Sequence, residues 1–69
     1  MQISARNLIP GTVKEITIGM VSAEVIITIA PGVEVASVIT KSSVERMGLK
    51  KGDTINAMIK ASSVMVAKD

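Results

Sequence analysis

The chain has 69 residues, enough for one small domain, and 48% of it is Ala, Val, Ile, Leu or Met, with no Phe, Trp, Tyr, Cys or His. Without Cys there is neither a disulfide framework nor a thiolate metal site. Without His the commonest general base and zinc ligand is missing, so neither an enzyme nor direct protein–metal ligation is expected. A net charge of +2 is too small for a polybasic surface, and with no aromatic residue there is no stacking platform for single-stranded nucleic acid, but a small anion is still compatible with this balance.

Size adds a second constraint. A chain of about 60 residues buries only about 60% of its extended surface, and small domains usually need a disulfide, a metal or self-association. The first two are excluded as far as Cys and His supply them, so residues 1–69 read as a single domain that forms a homo-oligomer. The N-terminal segment has no continuous apolar stretch of the signal-peptide kind, and no apolar run approaches the ~20 residues of a membrane span. The expected location is the cytoplasm, with no membrane and no nucleic acid as partner.

Val, Ile and Thr make up over a third of the chain, and β-branched side chains favour extended backbone. Gly11 and Gly19 bracket a first strand over residues 12–18, with Ile16 and Ile18 facing away from Glu15 and Thr17. From Val21 to Ile29 the odd positions are Val21, Ala23, Val25, Ile27 and Ile29, against Ser22, Glu24 and Thr28, which is the period of a half-buried strand. Pro31-Gly32 forms a turn, after which Val33, Val35 and Ile39 complete a hairpin.

Residues 40–49 break the β pattern. Ser42-x-x-Glu45 fits a capping box, Thr40 serves equally as the cap, and Gly48 sits where a left-handed C-terminal residue is wanted, so a helix of one to two turns is predicted. Gly48 to Asp53 reads as a turn with Lys50 and Lys51 in water. Ile55, Ala57 and Ile59 then alternate with polar neighbours in a further strand, and Val64 to Val66 form a short extended tail. The predicted fold class is all-β, a small OB-type five-stranded barrel with one short helix between strands three and four.

Three polar groupings are candidates for binding. Ser4-Ala5-Arg6-Asn7 offers a hydroxyl, a five-donor guanidinium and an amide, although its composition equally fits a solvated arm. Thr40, Ser42 and Ser43 surround a helix start, where unpaired N–H groups favour an oxyanion and where plain capping is the simpler reading. Lys60-Ala61-Ser62-Ser63 ends a strand, where a Lys is ordinarily just solvated. The four Glu residues are scattered, and there is no GxGxxG, Walker loop or metal-ligand spacing. From residues alone the reading stops at a small oligomeric β-barrel that binds an anion. An OB-fold nucleic-acid binder and a purely structural oligomerisation module are the alternatives.

Taken together, Ile3-Ser4-Ala5-Arg6-Asn7, Val21-Ser22-Ala23-Glu24-Val25, the segment from Val38 to Val44 and Lys60-Ala61-Ser62-Ser63-Val64-Met65 resemble the molbindin family, the stand-alone Mop domains, over essentially the whole chain. The resemblance implies an OB-type barrel that binds molybdate or tungstate in the cytoplasm for molybdenum storage and homeostasis, with no other cofactor. It also implies a homohexamer, a trimer of dimers with oxyanions between subunits. The implied ligand set is Ser4, Arg6, Thr40, Ser43, Lys60 and Ser62, with backbone amides near Ala5 and Ala61. Asn7 matches the motif in a role that holds the arm. Such a set contains only donors, hydroxyls and two cations, which suits an unprotonated dianion and leaves the proton of hydrogenphosphate without an acceptor, a cost of about 1–3 kcal/mol. A site spanning Ser4 and Lys60 closes either within one barrel or across two chains, and the small core favours the second.

Overall fold

The computed structural model describes residues 2–69. Four strands, β1 (Asn7–Ile18), β2 (Ser22–Ala30), β3 (Val33–Thr40) and β4 (Thr54–Ile59), form one antiparallel sheet in the order β3-β2-β1-β4. Helix α1 (Lys41–Met47) joins β3 to β4, as the capping signals predict, and a 3-10 turn (Ala61–Ser63) follows β4. The sheet has four strands where five were expected. Val64 has extended backbone, residues 64–66 belong to no ladder, and residues 2–6 are likewise outside the sheet.

β1 begins five residues earlier than the glycine bracket suggests, because Pro10 and Gly11, which read as breakers, lie inside it. Its first half pairs only with β4, from Asn7↔Ile59 to Thr12↔Thr54, and its second half with β2, from Thr12↔Thr28 to Ile18↔Ala23. Pro10 therefore stands where β1 has a single neighbour and its missing N–H disrupts no second ladder. Gly11 stands at the crossover, where a Cβ would come within 2.7 Å of Ile27 Cγ2 and 2.8 Å of the Thr28 carbonyl oxygen. The close approach of two backbones requires a residue without a side chain there.

A bulge between Val13 and Glu15 resets the parity of β1. Val13 and Ile16 can both turn inward while Lys14 and Glu15 both face water. Lys14 then reaches over β2 to pair with Glu34 on β3, and this contact raises the Lys14 pKa. Val13, Val25, Ile27 and Ala57 form the core, with Ile9, Ile16, Ile29, Ile39 and Ile55 packed around them. Val21 and Ile18, assigned to inward faces by alternation, lie exposed at the β1–β2 hairpin tip, where the sheet has ended and nothing covers them.

Thr40 caps α1: its hydroxyl accepts from Ser43 N–H at 3.1 Å, so of the two candidate caps Thr40 takes the role over Ser42. Gly48 closes the helix at φ 62°, its N–H directed to the Glu45 and Val44 carbonyls. The following turn hooks onto β1 through Gly52 N–H to Val13 O at 2.8 Å and Val13 N–H to Asp53 O at 2.9 Å.

Candidate functional site

The sheet register decides which predicted site residues meet. Asn7 opens β1 opposite Ile59, the last residue of β4, and its side-chain amide donates to the Ile59 carbonyl at 3.1 Å. Arg6 and Lys60, the next residues outward on each strand, therefore leave the sheet side by side. The register thus brings the segments Ser4-Ala5-Arg6-Asn7 and Lys60-Ala61-Ser62 to the same end of the β1–β4 pair within a single chain. Ser4, Arg6, Lys60, Ala61 and Ser62 are exposed, and Ala5 and Asn7 are half-buried.

The 3-10 turn adds backbone donors to this cluster. Ser63 N–H bonds Lys60 O at 2.9 Å and Val64 N–H bonds Ala61 O at 3.3 Å. The N–H groups of Ala61 and Ser62, at the start of the turn, have no backbone partner among the described residues, as the geometry of a helical first turn requires.

Thr40 and Ser43 form a second cluster elsewhere. The Thr40 hydroxyl donates to Ser43 Oγ at 2.7 Å, and Ser42 Oγ lies 3.2 Å from Thr40 Oγ1. The Arg46 guanidinium donates to Ser43 Oγ at 3.4 Å, which brings in a cation that the sequence reading left out. Its spacing was the available signal, since residues three apart on a helix share a face. Thr40 pairs with Ser22, and Lys41 N–H bonds Val21 O at 2.8 Å, so this cluster sits against the β1–β2 hairpin tip.

Asn7 and Ile18 are the two ends of a 12-residue strand, a contour of roughly 35 Å at about 3.3 Å per residue. The two clusters stand at those opposite ends, and among the described residues no hydrogen bond links them. Each end also exposes apolar side chains: Leu8 and its register partner Met58 beside Arg6 and Lys60, and Ile18, Met20 and Val21 beside Thr40. No group of His, Cys, Asp or Glu able to hold a metal ion occurs among the described residues, and no helix is long and apolar enough to cross a membrane.

The sequence pattern of the TOBE domain family matches residues 3–66. Molybdenum-pterin-binding protein 3 of Clostridium pasteurianum is 44% identical over 66 residues, which is 96% of this chain and 97% of that protein. Among solved structures, a molybdate binding protein from Sporomusa ovata superposes with a TM-score of 0.91 at 40% identity, covering 99% of this chain and 100% of that one. The cytoplasmic molybdate-binding protein ModG, solved with molybdate bound, gives a TM-score of 0.88 at 46% identity over 94% of this chain and 46% of its own. With the family pattern and the fold both matched nearly end to end, the chain belongs to the TOBE domain family and is of the molbindin (Mop) type.

Proposed function

We propose that the protein binds molybdate or tungstate in the cytoplasm, at sites completed by two copies of the chain, and serves molybdenum storage and homeostasis as a binding protein rather than an enzyme. The observation that carries the reading is the opposed placement of two donor clusters. One presents Arg6, Lys60, the hydroxyls of Ser4 and Ser62 and the free N–H groups of Ala61 and Ser62. The other presents Thr40, Ser43 and Arg46.

Two copies laid antiparallel along β1 bring the first cluster of each against the second cluster of the other. Such an isologous pair forms two equivalent composite sites, and the exposed apolar residues at both ends become buried in the same contact. Further association of these pairs gives the trimer of dimers. Asn7 acts through the backbone it holds.

Selectivity follows from donor chemistry. Molybdate is an unprotonated tetrahedral dianion whose oxygens only accept, and the composite set holds cations, N–H groups and hydroxyls but no carboxylate. Hydrogenphosphate brings a proton that only a hydroxyl oxygen can take up, which turns a donor to the anion into an acceptor and costs about 1–3 kcal/mol, or roughly 5- to 150-fold in affinity. The test is calorimetric titration of molybdate, tungstate, sulfate and phosphate into the wild type and into Arg6→Ala and Lys60→Ala. Tight molybdate and tungstate binding that falls in both variants is expected. Unchanged molybdate affinity in both variants overturns the site, and no response to any oxyanion overturns the function.

A further inference from the structure

The hydroxyl protons of the Thr40 cluster can be assigned one by one, because a hydroxyl has a single proton to donate and two lone pairs that accept. Thr40 uses all three. Its proton goes to Ser43 Oγ at 2.7 Å, one lone pair accepts Ser43 N–H at 3.1 Å, and Ser42 Oγ lies 3.2 Å away on the remaining one. With its own proton spent on Ser43, Thr40 can only accept from Ser42, so the Ser42 hydroxyl is the donor in that contact.

Ser43 Oγ in turn accepts twice, from the Thr40 hydroxyl and from the Arg46 guanidinium at 3.4 Å. Both of its lone pairs are filled, and among the described residues no protein acceptor takes its proton. The three hydroxyls therefore run in one direction, from Ser42 to Thr40 to Ser43, and each bond polarises the next. Arg46 fills the last lone pair from a position three residues along α1, where the two side chains share a face. It forms no ion pair among the described residues that would draw it away.

Resting on Ser43 as part of the proposed oxyanion site, we propose that Arg46 sets the anion specificity by fixing Ser43 as a hydroxyl that donates and cannot accept. Molybdate, tungstate and sulfate offer only acceptor oxygens, and these meet the Ser43 proton. Hydrogenphosphate needs an acceptor for its own proton. At Ser43 it finds one only by displacing the guanidinium or by reversing the chain of hydroxyls. Arg46 acts here through Ser43, as a positioning residue, and no free amide of α1 takes part in the discrimination.

Sulfate and hydrogenphosphate are tetrahedral dianions of similar size, so the ratio of their affinities cancels any loss of charge or of fold that weakens both. Each is titrated against bound molybdate at mildly alkaline pH, where phosphate is hydrogenphosphate, in the wild type, Arg46→Met, Ser43→Ala and the double variant. The wild type is expected to prefer sulfate by about 5- to 150-fold. Arg46→Met empties a lone pair on Ser43 and is expected to weaken both anions while lowering that preference by at least about fivefold. Ser43→Ala should keep the wild-type preference and the double variant should regain it, because the relief needs the Ser43 oxygen. No sulfate preference in the wild type, an unchanged preference in Arg46→Met, or a lowered preference in either variant lacking Ser43 overturns the proposal. No molybdate binding by the wild type overturns the oxyanion site itself, whereas molybdate bound with an unchanged preference in Arg46→Met overturns only the role of Arg46.

Discussion

The side-chain amide of Asn7 donates to the carbonyl oxygen of Ile59 across 3.1 Å, joining residues 52 positions apart where β1 begins and β4 ends. The bond lies one residue inside Arg6 on one strand and one residue inside Lys60 on the other. It ties the two cationic segments together through the backbone and uses an amide hydrogen that would otherwise have been free for a ligand.

Asn7→Ala is therefore expected to weaken molybdate binding by no more than about tenfold, the consequence of losing one neutral hydrogen bond worth about 0.5–1.5 kcal/mol. Arg6→Ala removes charge-assisted bonds worth about 1.5–3 kcal/mol each and is expected to cost more. Calorimetry on both variants checks the order, and equal losses would place Asn7 on the anion.

Composite sites predict complementation. Arg6→Ala and Thr40→Ala, each impaired alone, damage opposite ends of β1. When the two are unfolded, mixed and refolded together, mixed pairs keep one intact site of two, so about a quarter of the wild-type sites return. The stoichiometry of a molybdate titration reads this directly, and no recovery on mixing means that each site belongs to one chain.

Thr40 has two separable roles. Thr40→Val removes the cap that accepts from Ser43 N–H and is expected to lower stability by about 1 kcal/mol as well as anion affinity. Thr40→Ser restores the hydroxyl and should restore both. Urea denaturation beside calorimetry separates a capping loss from a binding loss.

Gly11 and Gly48 are expected to fail for different reasons. Gly11→Ala forces a methyl into the Thr28 carbonyl and Ile27, and overpacking of this kind costs about 1–3 kcal/mol. Gly48→Ala meets no neighbour but places an L side chain at φ 62°, at about 1–2 kcal/mol. Urea midpoints of the two variants measure both, and only the Gly11 change should disturb the β1–β2 amides in hydrogen exchange.

Much of this molecule is legible from local chemistry. The alternation of Ala23, Val25 and Ile27, the Pro31-Gly32 turn and the Thr40 to Gly48 helix signals each depend on neighbours a few residues away, and the structure has them at or near the expected positions. β1 is less legible, because Pro10 and Gly11 act as breakers unless the strand has one neighbour at the first and must approach another at the second. Those conditions exist only after β2 and β4 have taken their places.

The sequence by itself determined a mostly β chain with no His, Cys or aromatic residue, and the three donor-rich segments, because residue type and short-range period suffice for both. Only the tertiary structure decided how those segments are grouped. The β1–β4 register joins the Arg6 and Lys60 segments within one chain, and the length of β1 holds Thr40, Ser43 and Arg46 at the far end. The reason is that backbone pairing over 52 residues follows from sheet register, a property of the whole fold that no local pattern encodes.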